Sequence, residues 1–183
     1  MNLTQKAKEI LADFLAPIEA PVSIDATCGN GFDTLFLAQN AKQNGKVFAF
    51  DIQKNAVLQT KKILKENGLS EKAEIFEASH ALLKEKIPSR YFGKINAAMF
   101  NLGWLPKSDK TVITKPESTI KALESLAEIA DETNLISVLA YPAHEGGRSE
   151  LECVEEYLKK YSPRIFRDEK NPNSPVLFIF TMR

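Results

Sequence analysis

The 183-residue chain has little cysteine: two residues, Cys28 and Cys153, far apart in sequence. Two isolated thiols cannot form a disulfide framework, and their spacing is not that of a zinc site. No His/Cys/Asp/Glu cluster with metal-ligand spacing is present either, so no metal is expected. No run of about 18 apolar residues occurs, which excludes a membrane-spanning helix of ordinary type. The first residues, MNLTQKAKEILADFLAP, lack the apolar block and small-residue cleavage site of a secretory signal, and a cytoplasmic location is the expectation. Charge of one sign is also missing. Lys and Arg number 24, Asp and Glu 24, for a formal net charge of zero. The chain as a whole is therefore no polycation, and any nucleic-acid site must be a local patch. Internal repeats, low-complexity stretches and linkers are absent. The length suits a single domain over 1–183 with a sizeable core.

What is there is an alternation of helix and strand signals. Helical spacing marks 3–15, 33–43, 54–67, a short 81–87, 117–131 and 149–160. Short apolar runs mark strands at 22–26, 46–51, 73–77, 95–100 and 135–140. Such alternation implies a mostly parallel sheet covered on both faces. At the end, 164–167 and 175–181 flank the turn-rich Asn171-Pro172-Asn173-Ser174-Pro175. An antiparallel hairpin is expected there, giving seven strands. In the helix at 117–131, Ile120, Leu123, Ala127 and Ala130 are expected to face inward. The acidic helix at 149–160, with Glu150, Glu152, Glu155 and Glu156, is expected to present those carboxylates to solvent.

The segment with most chemistry is Asp25-Ala26-Thr27-Cys28-Gly29-Asn30-Gly31-Phe32-Asp33-Thr34. It joins the first strand to the next helix, where open α/β sheets bind ligands. Gly29 and Gly31 permit a tight turn and close backbone approach to a ligand. Asp25, at the strand end, can hold a positively charged amine directly or through water. Asp51 ends the second strand, where a carboxylate can accept hydrogen bonds from both ribose hydroxyls. The same frame serves NAD and S-adenosylmethionine. A pyrophosphate needs a third small residue and a helix start free of negative charge. Here bulky Phe32 and acidic Asp33 occupy that place, which favours a cationic sulfonium ligand, although Asp33 also suits a plain helix cap. Gln53 is within reach of ribose or adenine, or is a polar loop residue. Ser79 and His80 follow the third strand, where the adenine edge would lie.

The fourth strand runs into Asn101-Leu102-Gly103-Trp104-Leu105-Pro106, at the edge that would face a transferred methyl group. Asn101 offers one acceptor and one donor group. An acceptor that holds an amine N–H orients its lone pair for in-line attack. Trp104 can stack on a base or fill the core. Lys107, Lys110 and Lys115, against Asp109, leave this loop locally positive, suited to phosphate or merely solvated. The fifth strand ends in Tyr141-Pro142-Ala143-His144-Glu145-Gly146-Gly147. His144 is a candidate proton acceptor, or a structural histidine bonded to the loop backbone. A second basic stretch spans Lys159, Lys160, Arg164, Arg167 and Lys170.

Taken in order, the 25–34 segment, Asp51-Ile52-Gln53, Ser79-His80, Phe100 to Pro106 with Asp109-Lys110, and His144-Glu145-Gly146-Gly147 resemble the YtqB-like rRNA methylases. That family is associated with tRNA wobble-uridine modification under the name MnmM. The resemblance spans nearly the whole chain. It implies a Rossmann-like, class I S-adenosylmethionine (SAM)-dependent methyltransferase fold with a seven-stranded sheet. It further implies methyl transfer to the amine of 5-aminomethyl-(2-thio)uridine in the tRNA anticodon. By the resemblance, Asn30, Asp33, Asp51, Gln53, Ser79 and His80 fall on cofactor positions, with Asp25, Thr27, Cys28, Gly29, Gly31 and Asn101 beside them. Asn101, Asp109, Tyr141 and His144 fall at the substrate edge as the catalytic set, and Trp104, Lys107 and Lys110 as substrate contacts. One departure is Cys28, where an apolar Met is expected in many relatives. Another is Glu19-Ala20-Pro21-Val22, which lacks a Gly-Asp turn before the first strand. A methyltransferase of rRNA or of a small molecule, a non-catalytic binding module and an NAD-linked oxidoreductase are the rival readings. The oligomeric state is open, a homodimer being one option.

Overall fold

The computed structural model describes residues 2–103 and 113–182. Six α-helices are numbered in chain order: α1 Leu3–Leu15, α2 Phe32–Asn40, α3 Lys54–Glu66, α4 Leu83–Lys86, α5 Pro116–Ile129 and α6 Gly147–Leu158. The strands are β1 Val22–Asp25, β2 Lys46–Asp51, β3 Ala73–Glu77, β4 Ile95–Asn101, β5 Ala130–Ala140, β6 Arg164–Phe166 and β7 Val176–Phe180. They form one sheet in the order β3-β2-β1-β4-β5-β7-β6. β1 to β5 pair in parallel, and β7 is antiparallel to both β5 and β6. This is the Rossmann-like arrangement expected from the sequence, with the chain reversing direction on either side of β1. A ligand crevice belongs at that reversal, outside the carboxyl ends of the strands.

The strands form because their residues are apolar on both faces. Phe48, Phe50, Ala98, Phe100, Ile136, Val138 and Phe178 are all buried. The larger core joins these to Leu123, Leu126 and Ile129 of α5 and to Leu151, Val154 and Leu158 of α6. The opposite face packs Leu11 and Leu15 of α1, Leu37 of α2 and Leu64 of α3 against Val47, Ala97 and Met99. Each fully buried Leu or Phe contributes about 1.5–3 kcal/mol, so both layers hold the sheet.

Two expectations change. In α5 the inward residues are Thr119, Ala122, Leu123, Leu126 and Ile129, while Ala127 is exposed. The helix starts at Pro116, a favourable first position, and the face that meets the sheet follows the three- and four-residue spacing of Thr119, Ala122, Leu123, Leu126 and Ile129. β5 begins at Ala130, five residues before the expected position, directly after α5. Its polar start hides it: Asn134 is buried, exchanging bonds with the Met182 backbone at 3.0 and 2.8 Å.

Candidate active site

The turn after β1 is held by the strands beside it. Ala26 N–H donates to Met99 of β4 (2.9 Å) and Cys28 N–H to Phe50 of β2 (2.8 Å). Gly31 then opens α2 in a left-handed conformation, φ +84°. A methyl group at Gly31 would lie 2.8 Å from Ile63 Cγ2 and 2.9 Å from Thr60 Cα, both on α3. Glycine is thus required by conformation and by close approach.

Over the carboxyl edge of the sheet lies a cleft of about 680 Å³, a size typical of small-molecule sites. Its wall carries Thr27, Cys28, Gly29, Asn30, Asp33, Asp51, Gln53, Ser79, His80, Asn101, Tyr141 and His144. These cleft residues are all among those singled out from the sequence. Asp51 ends β2 and accepts from the N–H groups of Gly29 (3.0 Å) and Gln53 (2.9 Å). Burial raises its carboxyl above the usual range. Cys28 is buried, and desolvation pushes its thiol well above the ordinary value. His80 is buried edge-on to Phe100, and its Nδ1 lies 3.1 Å from Ala26 O. A carbonyl only accepts, so Nδ1 carries the proton and Nε2 the lone pair. Desolvation lowers the His80 pKa to about 4. His144 places Nδ1 2.8 Å from Glu145 O. A methyl group at Gly147 would fall 2.8 Å from the His144 ring nitrogen Nε2 and 2.3 Å from Tyr141 O, so the loop closes tightly there.

Asp25 and Gly31 do not line the cleft. Asp25 is 1% exposed and both oxygens are used beneath the turn, by Thr34 Oγ1 (2.6 Å) and Thr27 N–H (3.1 Å). Burial, with Asp33 nearby, pushes its carboxyl up to about 7. In this structure Asp25 braces the turn. Glu150, expected to face solvent, is corrected. It is 2% exposed and accepts from Thr114 Oγ1 (2.6 Å) and Thr119 Oγ1 (2.8 Å). Burial raises its carboxyl. Thr114 also accepts from Gly103 N–H at 2.8 Å, so Glu150 ties α6 to α5 and to the end of β4. Trp104, Lys107, Asp109 and Lys110 lie outside the described residues. The second basic stretch is partly engaged within the chain: Arg167 pairs with Glu155 at 2.6 Å, and Lys160 lies over Tyr157 at 3.9 Å.

The first two turns of α1 supply cleft residues that the sequence reading missed: Asn2, Thr4, Gln5 and Lys8. Lys8 Nζ meets Asp33 Oδ1 at 2.7 Å. Asp33 Oδ2 accepts from the Asn101 side-chain amide. Phe32 and Ile52, which belong to quoted motifs but are given no site role by the sequence, also stand at the cleft, 62% and 56% exposed.

Residues 47–171, about two thirds of the chain, match the model of the family described as "Putative rRNA methylase". The chain belongs to this family. A relative from Arabidopsis thaliana, named tRNA (mnm(5)s(2)U34)-methyltransferase, chloroplastic, is 38% identical over 142 residues. The match covers 73% of the chain and 51% of that relative, so the chain spans about half its length. A solved structure from Clostridium thermocellum, with the same description as the family, superposes with a TM-score of 0.91 at 32% identity, covering 100% of the chain and 98% of its own. A Streptococcus mutans structure, "a putative methyltransferase" in complex with SAH, has a TM-score of 0.78 at 27% identity, covering 93% and 94%. The fold is that of the Rossmann-like, SAM-dependent methyltransferases.

Proposed function

We propose that the chain is a SAM-dependent N-methyltransferase of RNA, acting on the 5-aminomethyl group of a tRNA wobble uridine. The observation that carries this reading is the placing of Asp51 and Asn101 at the ends of β2 and β4, the two neighbours of β1, on one cleft. The residues fit an adenosyl sulfonium. Asp51 presents a carboxylate at the ribose position, already bonded to the Gly29 turn. Gln53, Ser79 and the neutral His80 offer polar groups where the base would lie, and Asn30 and Thr27 complete the turn. When bound, the group supplies an activated methyl electrophile. The chain's own work is then to orient a neutral amine and remove its proton. Asn101 is assigned to hold that amine, with Tyr141 and His144 at the same edge and His144 as a candidate proton acceptor.

RNA as the substrate class is supported by the name of the Arabidopsis relative. Exposed Phe32, which lines the same cleft as part-exposed Tyr141, is a second support, since unstacked bases bind on aromatic faces. The test is incubation of the purified chain with labelled SAM and tRNA lacking the terminal modification, followed by nucleoside analysis. Label in 5-methylaminomethyl-(2-thio)uridine is expected. Label confined to rRNA, or to no RNA, overturns the assignment. Asp51→Ala should abolish SAM binding in calorimetry, and unchanged affinity would remove Asp51 from the site.

A further inference from the structure

The geometry points to Lys8 and Asp33 as positioning residues that set the direction of the Asn101 amide, so that its oxygen is offered to an N–H of an amine substrate. This rests on the functional reading above and gives the substrate class a structural cause. Asn101 is fixed from two sides. Its main-chain N–H donates to Thr27 Oγ1 at 2.9 Å, and its side-chain Nδ2 donates to Asp33 Oδ2. A carboxylate has no proton to give, so the amide must turn its NH2 toward Asp33. The reverse orientation would set two acceptors face to face. The planar amide then directs Oδ1 away from Asp33, and among the described residues no donor is bonded to it. Asn101 lines the cleft, so with one of its N–H groups committed to Asp33 its oxygen is available as an acceptor at the substrate edge.

Asp33 could deliver this only if its own carboxylate were held. It is 9% exposed at the first turn of α2, and Lys8 fixes the other oxygen at 2.7 Å. Lys8 is anchored in turn: its ammonium also donates to Phe32 O at 3.3 Å and lies over the Phe36 ring at 5.6 Å. The chain of contacts runs from α1 through α2 to the end of β4, three separate elements meeting at one amide. A cation beside Asp33 also leaves the carboxylate locally neutralised, so its service to Asn101 is not diverted to the incoming ligand.

The test compares Lys8→Met and Lys8→Arg with wild type in the full chain. For Lys8→Met, kcat for methylation of hypomodified tRNA should fall roughly 10- to 100-fold, the scale of a misplaced reacting group. KM for RNA and SAM affinity by calorimetry should stay within about threefold, separating orientation from binding. Lys8→Arg should restore most of the rate. A second readout needs no turnover: the Asn101 side-chain amide protons, assigned by their loss in Asn101→Ala, should be protected from exchange in wild type and lose protection in Lys8→Met. Unchanged kcat, or a rate loss matched by lost SAM affinity, or equal proton protection in both proteins, overturns the inference. If wild type modifies no RNA, the functional reading fails and the amide-proton comparison alone decides the positioning chain.

Discussion

Replacing Gly31 by Ala forces an L-residue to φ +84° and drives its methyl group to within 2.8 Å of Ile63 Cγ2 and 2.9 Å of Thr60 Cα. The left-handed conformation costs about 1–2 kcal/mol. The overlap adds about 1–3 kcal/mol, because one of the two atoms is backbone and cannot rotate away. Gly68 separates the two terms. It too is left-handed, φ +69°, yet nothing lies within 4 Å of a methyl group built there. Gly68→Ala should show only the conformational cost. For a chain of this size each kcal/mol moves Tm by about 2–4 °C. Gly31→Ala should therefore lower Tm by about 10 °C, and Gly68→Ala by about 4 °C, in melts followed by circular dichroism without cofactor, which would add stability of its own. Because Gly29 in the same turn donates to Asp51, Gly31→Ala should also weaken SAM binding, and Gly68→Ala should not. Equal Tm losses in the two variants would refute the packing argument.

Asp25 gives a pH prediction. Its folded carboxyl titrates at about 7 against 3.8 for the free group, so between those values the unfolded chain binds fewer protons and stability falls as pH rises. Asp25→Asn should flatten the Tm-versus-pH curve from pH 4 to 7, and an unaltered slope would count against it. Glu150→Ala strips the hydroxyls of buried Thr119 and part-buried Thr114 of their acceptor and should cost about 2–3 kcal/mol in urea unfolding, with Glu150→Gln recovering much of it; matching losses would show that the hydroxyl contacts are idle. Phe32→Ala should raise KM for RNA roughly tenfold, the worth of one stacked base, with Tm and SAM affinity unmoved, and an unchanged KM would take Phe32 out of RNA binding.

The sheet, its antiparallel hairpin and most of the cleft were legible because their signals are local. Apolar runs such as Val47–Phe50 mark buried strands, and two glycines between a strand and a helix mark a ligand turn. What escaped depends on where distant segments meet. The apolar stripe of α1 shows that one face is buried, but not that its first turns lie over the sheet edge, so Thr4, Gln5 and Lys8 went unseen. Asp25 sits at a strand end that suits a ligand contact, but only the fold shows that Thr27 and Thr34 use both of its oxygens below the turn. Glu150 did leave a trace. It stands four and eight residues before Val154 and Leu158, on their stripe, yet the run of neighbouring acids suggested a solvated face. β5 was shortened at its start because Asp131 to Asn134 are polar, and the Asn134 exchange with Met182 is a tertiary bond with no local pattern.

The state of His80 bears on how rate measurements would be interpreted. With its proton fixed on Nδ1 by Ala26 and a pKa near 4, this imidazole is electrically silent throughout any ordinary assay range. An inflection near neutrality in a rate profile would have to originate elsewhere, and the brace beneath the turn, Asp25 at about 7, is a source as legitimate as any group that touches the reactants.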